Sequence, residues 1–448
     1  MTVSHSTAVD ERLMASGNEA GTAPDDRRFR PDVEGLRALA ILLVVLYHAG
    51  VPRLTGGYVG VDVFFVISGF VITGLLLRER RGTGHTSIIS FYARRCRRIL
   101  PAATLVILMA VACTYLALGY VSGNSVADDG RWAAVFLSNF HFEAIGTNYF
   151  TAARPPSPLQ NYWSLSVEEQ FYVVYPTLFL VVSRVRGRLS LQARMTITLV
   201  IVIIGSYWLS VVQTSTNPTW AYFSPFTRAW ELALGALVAV STPWLKHIPV
   251  ALAALLTWVG VAAIVIAAFA FTAQSSYPAS LVALPVVGAG LVIAGGVAIP
   301  PLGAESVLGQ RPVGWLGRRS YSLYLWHWPI LIIAAERVGK TTLPVGENLL
   351  LVLLALAISV ATYRLVENPF RHWRLPSRQS VLFGLVLVLA TVILLSLAIS
   401  MESGASSYRV APAANTAVVL HEVSTATRIS RVPDPIHPSL SAAPADWP

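Results

Sequence analysis

Charge is scarce in this chain. Asp, Glu, Lys and Arg make up 12% of its 448 residues, about half the share of roughly 25% usual for a soluble globular protein. With 54% hydrophobic residues, a soluble fold of this length could not cover its apolar surface, and a disordered chain would be far more polar. Cysteine is nearly missing. Cys96 lies in a basic stretch and Cys113 in an apolar one, which excludes a disulfide scaffold. Cys and His show no metal-ligand spacing, so no metal site is expected. Neither a Walker loop nor a dinucleotide glycine fingerprint is present. These absences leave an all-α, polytopic membrane protein.

The formal net charge is +10. Most of the basic residues are Arg in short clusters between apolar segments, the pattern of positive cytoplasmic loops rather than of a nucleic-acid surface. A spanning helix needs about 20 mainly apolar residues. Candidates are 33–50, 58–77, 99–121, 130–145, 162–183, 195–212, 222–241, 251–271, 279–299, 321–336, 347–366 and 380–400. The loops 78–98 and 184–194 are both Arg-rich and should share the cytoplasmic side, which an odd number of intervening spans forbids. The segment 130–145, short and carrying Arg131, His141 and Glu143, is therefore read as an interfacial or re-entrant helix. About eleven spans remain, in a cell-membrane protein with the N-terminus cytoplasmic and the C-terminus outside. Residues 1–29 read as a disordered tail, 30–375 as the membrane domain, 376–400 as an additional span and 401–448 as an extracytoplasmic linker.

Ionisable residues inside a bilayer are costly and tend to be functional. Arg37 and His48 lie on the first span. Eleven residues at ~100° each bring both to one face, about 16 Å apart along the axis. A snorkelling Arg and a structural His are the plainer alternative. Asp62 enters the second span at the depth expected for His48, where a carboxylate could fix the imidazole tautomer and leave the other nitrogen as a base; capping the helix end is its other reading. In the stretch from Asn161 to Tyr172, Glu168 and Glu169 lie about two turns in, and adjacent acids on a helix cannot both face one small pocket. Arg228, with Glu231 at i+3, is a candidate structural partner for these acids. Arg94, Arg95, Arg97 and Arg98 precede Pro101. They serve topology, and they also suit a phosphorylated ligand. His327 stands between Trp326 and Trp328, a setting that suits a structural histidine as well as a functional one.

Six motifs in order resemble the acyltransferase-3 family of integral membrane acyltransferases. They are Phe29-Arg30-Pro31-Asp32-Val33-Glu34-Gly35-Leu36-Arg37 with His48; Gly57-Tyr58-Val59-Gly60-Val61-Asp62 running on to Phe70; Phe91 to Pro101; Tyr162-Trp163-Ser164-Leu165-Ser166-Val167-Glu168-Glu169; Tyr324-Leu325-Trp326-His327-Trp328-Pro329; and Glu367-Asn368-Pro369-Phe370-Arg371. The resemblance implies transfer of an acyl group from cytoplasmic acyl-CoA, as donor substrate and not bound cofactor, to a hydroxyl of an extracytoplasmic or lipid-linked glycan. The family's Arg-x10-His pair falls on Arg37 and His48, and its Arg-x-x-Arg on Arg95 and Arg98. The expected catalytic residues are His48, Asp62 and Glu168. Arg37, Arg95, Arg98, Tyr162, Ser164, Arg228 and His327 are the expected substrate-binding residues. Longer relatives add a span and an extracytoplasmic SGNH-type domain. Residues 380–400 and 401–448 match that span and its linker, so an SGNH-type domain is an expected partner if the natural chain continues. A proton-coupled transporter or flippase, with the buried charges as a proton relay, is the competing reading.

Overall fold

The computed structural model describes residues 30–147 and 156–409, all of whose regular elements are helical. Helix α1 is Pro31–His48. A turn of 3-10 helix at Gly57–Val59 leads into α2, Gly60–Thr83. Then follow α3 (Ile88–Leu118), α4 (Tyr120–Ala134), α5 (Ser138–Ala144), α6 (Tyr162–Arg184), α7 (Leu191–Thr216), α8 (Pro218–Phe223) and α9 (Pro225–Leu245). The chain closes with α10 (Val250–Ala270), α11 (Ala283–Gly296), α12 (Glu305–Leu308), α13 (Arg311–Arg337), α14 (Val345–Thr362), α15 (Asn368–His372) and α16 (Ser377–Arg409).

Seven helical segments among the described residues are long and apolar enough to cross a membrane: Gly57–Thr83, Ile88–Leu118, Tyr162–Arg184, Leu191–Thr216, Val250–Ala270, Val345–His372 and Ser377–Met401. Ser280–Gly296 is apolar but shorter. The remaining long helices, α1, α9 and α13, carry ionisable side chains and bury them against neighbours. Lipid solvates apolar residues freely but not charge, so the charged helices take the centre. α7, α14 and α16 stay mostly uncovered at the rim.

Two local expectations change. The basic stretch 78–98 is not a loop. It is two helix ends joined by a turn from Gly84 to Ser87. Gly84 adopts φ 73°, which glycine tolerates. Ser87 caps α3 by accepting from the Ser90 amide at 3.2 Å, and Glu79 accepts from the Ser87 amide at 2.9 Å and from Arg94 at 2.8 Å. The four arginines thus project from a continuous helix. The segment 130–145 is likewise not one helix, because the chain breaks at Phe136 (φ 55°). The short α5 is then held on α6 by the Ser138–Ser166 hydroxyl pair at 2.8 Å and by Gln170 donating to Phe136 O and to Asn139 Oδ1, both at 2.8 Å. The additional helix expected at 376–400 runs on to Arg409; the tails 1–29 and 410–448 lie outside the described residues.

α2 and α9 cross very closely. A Cβ on Gly69 would sit 1.8 Å from Leu232 O, and one on Gly235 would sit 1.9 Å from Val66 O. Small residues at such a crossing let backbones touch where no hydrophobic force draws helices together.

Candidate active site

α1, α2, α3, α6 and α13, with the turn after α14, enclose a cavity of about 280 Å³. Its wall carries five guanidiniums, Arg37, Arg95, Arg98, Arg318 and Arg371, and three carboxyl groups, Glu34, Glu168 and Glu367. Arg37 donates to Ser320 Oγ at 2.9 Å and lies 3.9 Å from Glu34. Arg95 lies over the Tyr172 ring, 3.6 Å from its centre. Tyr172 and Ser68 both donate to Glu168 Oε1, Ser68 at 2.6 Å. Arg98, Arg318 and Arg371 form no hydrogen bond or ion pair among the described residues. A concave site with excess guanidinium and free donors is built for an anion, and the planar fork matches phosphate bidentately.

The inner end of the cavity is polar but uncharged. Tyr324 donates to Asn161 O at 2.9 Å, and its hydroxyl lies 2.6 Å from Ser164 Oγ. One turn along α13, beyond the cavity lining, comes His327, whose ring is 5.5 Å from that of Tyr324. His327 Nδ1 is 3.1 Å from Leu323 O. A carbonyl can only accept, so Nδ1 carries the proton and Nε2 has the lone pair. His48 Nδ1 lies 3.0 Å from that Nε2 and must donate to it. The lone pair of the His48 ring is therefore on Nε2. Trp328 packs edge-on against His48 at 4.5 Å. Arg37 and His48 thus stand toward the two ends of α1, each bonded to a side chain of α13, Ser320 and His327 respectively.

Not every expected site residue is here. Arg37, Arg95, Arg98, Ser164 and Glu168 line the cavity. Glu169, on the next face of the helix, does not. Asp62 does not meet His48. Its Oδ1 accepts from Arg228 Nη1 at 2.8 Å and its Oδ2 from Tyr277, and the partner that His48 meets instead is His327. Arg228 also reaches Glu231 at 2.8 Å and Tyr222 O at 3.2 Å. Asp62, Arg228 and Glu231 are at most 1% exposed and lie outside the cavity lining. Neither acid of the α6 pair reaches Arg228, because the turn that carries Asp62 fills that place. Tyr162 is buried and donates to Ala103 O at 2.9 Å, a pin between α6 and α3. The sequence reading missed Arg318, Arg371, Glu367, Tyr324 and Ser68. Glu367, Arg371, Tyr324 and Ser68 all stood within motifs, where a hydroxyl or guanidinium beside a helix end was the available signal.

The chain matches the acyltransferase domain family over residues 30–364, and it belongs to the acyltransferase-3 family. It is 30% identical over 355 residues to the peptidoglycan O-acetyltransferase OatA of Listeria monocytogenes, covering 77% of this chain and 56% of that one. It is 32% identical over 364 residues to YrhL of Bacillus subtilis, named as a candidate peptidoglycan O-acetyltransferase, covering 77% and 55%. A candidate O-acetyltransferase of Staphylococcus aureus is 30% identical over 356 residues, covering 77% and 58%. The chain thus spans little more than half the length of these relatives. No solved structure matches it significantly.

Proposed function

We propose that the protein is a membrane O-acyltransferase that takes an acyl group from cytoplasmic acyl-CoA and delivers it to a hydroxyl of a glycan, peptidoglycan by likeness to its relatives, on the outer side. The observation that carries this reading is the cavity with Arg98, Arg318 and Arg371 unpartnered at one end and the Ser164–Tyr324 hydroxyl pair at the other. At about 280 Å³ it accommodates the thioester arm. The phosphates would rest against Arg98, Arg318 and Arg371, the last of which is exposed. The excess of Arg at this end supports its assignment to the cytoplasm. The N-terminus is then inside and the C-terminus outside.

The chemistry follows from atom positions. A sugar hydroxyl is a poor nucleophile near neutral pH, and a positioned base contributes ~10²–10⁴-fold. His48 Nε2 takes the hydroxyl proton, and the oxygen attacks the thioester carbonyl. The C–S bond breaks and the thiolate is protonated to free CoA. Ser164 and Tyr324 supply a polar wall beside the carbonyl. His327 holds the tautomer of His48. Glu168, anchored by Ser68 and Tyr172, fixes the guanidinium of Arg95 through the shared tyrosine. The test is release of free CoA from acetyl-CoA by the protein in lipid vesicles, with a soluble peptidoglycan disaccharide as acceptor. Release tied to ester formation and lost in His48→Ala is expected. Intact acetyl-CoA in the presence of acceptor would sink the reading, and proton-driven movement of a solute would favour the transporter alternative.

A further inference from the structure

The transfer chemistry gives Glu367 no task, yet this residue is placed with care. It is 2% exposed and lines the cavity. Its backbone lies in a π-helical turn, Tyr363–Glu367, a rare conformation frequent at functional sites. Ser322 donates to its Oε2 at 2.6 Å. Arg98, Arg37 and Arg371 line the same cavity wall, although none of the three closes to an ion pair with it among the described residues. Arg98 shares that wall with Arg37, Arg95 and Arg371, so the cavity holds like charges together.

A carboxylate in a phosphate pocket has two physical consequences. It offsets the mutual repulsion of the guanidiniums when no ligand is present. It also opposes any incoming phosphate. The second effect matters because CoA leaves with every phosphate that acyl-CoA brought. Contacts to those phosphates bind donor and product alike and contribute nothing to the chemical step, so an all-Arg pocket would hold the product and stall.

We infer that Glu367 is a positioning residue that stands in for a donor phosphate. It offsets the charge of Arg37, Arg98 and Arg371 between turnovers and limits the affinity for CoA, so that the product is released. This rests on the acyl-CoA reading above. Glu367→Gln keeps the Ser322 hydrogen bond through its amide oxygen and removes only the charge. At an effective dielectric of about 20, one unit charge a few ångströms away alters anion affinity by about ten-fold or more.

The experiment is calorimetric titration of the purified full-length protein with CoA, paired with steady-state transfer from acetyl-CoA. In Glu367→Gln the CoA dissociation constant is expected to fall by about ten-fold, with KM and kcat falling together, and the gain should shrink at high salt. Glu367→Asp, which keeps the charge at shorter reach, should lie between the two. It keeps the test open if the glutamine variant does not fold. CoA binding that is unchanged or weaker in these variants overturns the inference, since a merely structural Glu367 predicts lost stability and lost affinity together. A wild-type protein that binds no CoA overturns the donor reading itself, and this inference with it.

Discussion

Arg228 and Arg98 carry the same guanidinium into the same bundle and meet opposite surroundings. Arg228 is 1% exposed, bonded to two carboxylates and a carbonyl, and packed against the rings of Trp163, Tyr222 and Tyr277 at 5.2–5.7 Å. Arg98 lines a cavity and has no such partners among the described residues. A satisfied buried ion cluster is a structural device whose cost was met on folding. An unsatisfied guanidinium facing a void is waiting for an anion. Residue type is the same in the two cases, so partner count separates binding residue from girder.

The comparison breaks most visibly at Arg228. Arg228→Leu leaves Asp62 and Glu231 buried without a cation, and removing one partner of a buried pair costs about 3–5 kcal/mol. The variant should be lost on size-exclusion chromatography or unfold at much lower temperature. Adding Asp62→Asn and Glu231→Gln to it should recover a good part of that loss. A stable single variant with impaired donor binding would instead put Arg228 in the site.

His48 tests function without stability. His48→Gln should cut transfer at least ~10²-fold while thermal unfolding and CoA binding stay near wild type. His327 sharpens the assignment. His327→Gln keeps an oxygen that accepts from His48 Nδ1, so it should retain more turnover than His327→Leu. Equal activity in the two would remove the tautomer argument.

Arg98→Ala should raise the KM for acetyl-CoA by about ten-fold, the scale of one lost charge-assisted hydrogen bond, with the unfolding temperature unchanged. Arg371→Ala should do the same more weakly, because Arg371 is exposed and solvent competes there.

The helices and their order were legible because apolar runs of spanning length leave few alternatives, and the motifs located Arg37, His48, Arg95, Arg98, Ser164 and Glu168. What could not be read were pairings across the bundle. The depth estimate that set Asp62 beside His48 concerns distance along the membrane normal alone. It is silent on azimuth, and the Gly69–Gly235 crossing turns the end of α2 toward α9 and Arg228. The same blindness hid Glu367, which approaches the cavity only because a π-turn rotates the end of the α14 segment. Arg318 and Arg371 were hidden for a related reason: a positive residue at a helix end can orient the chain and also face a cavity.

The smallest effect tests the interior of the sealed cluster. One guanidinium balances one carboxylate, so Asp62 and Glu231 need not contribute equally. Asp62 accepts from both Arg228 and Tyr277. Glu231 accepts from Arg228, and its Oε2 is buried with no hydrogen-bond donor aimed at it among the described residues. The counter-charge therefore belongs on Asp62, where two donors converge, and Glu231 contributes a hydrogen-bond acceptor that an amide oxygen supplies as well. Glu231→Gln should cost no more than about 1 kcal/mol, a small shift in thermal unfolding of the purified protein. Asp62→Asn should cost more, since it removes the charge that both donors address. The reverse order would place the counter-charge on Glu231 and make Tyr277 a bystander.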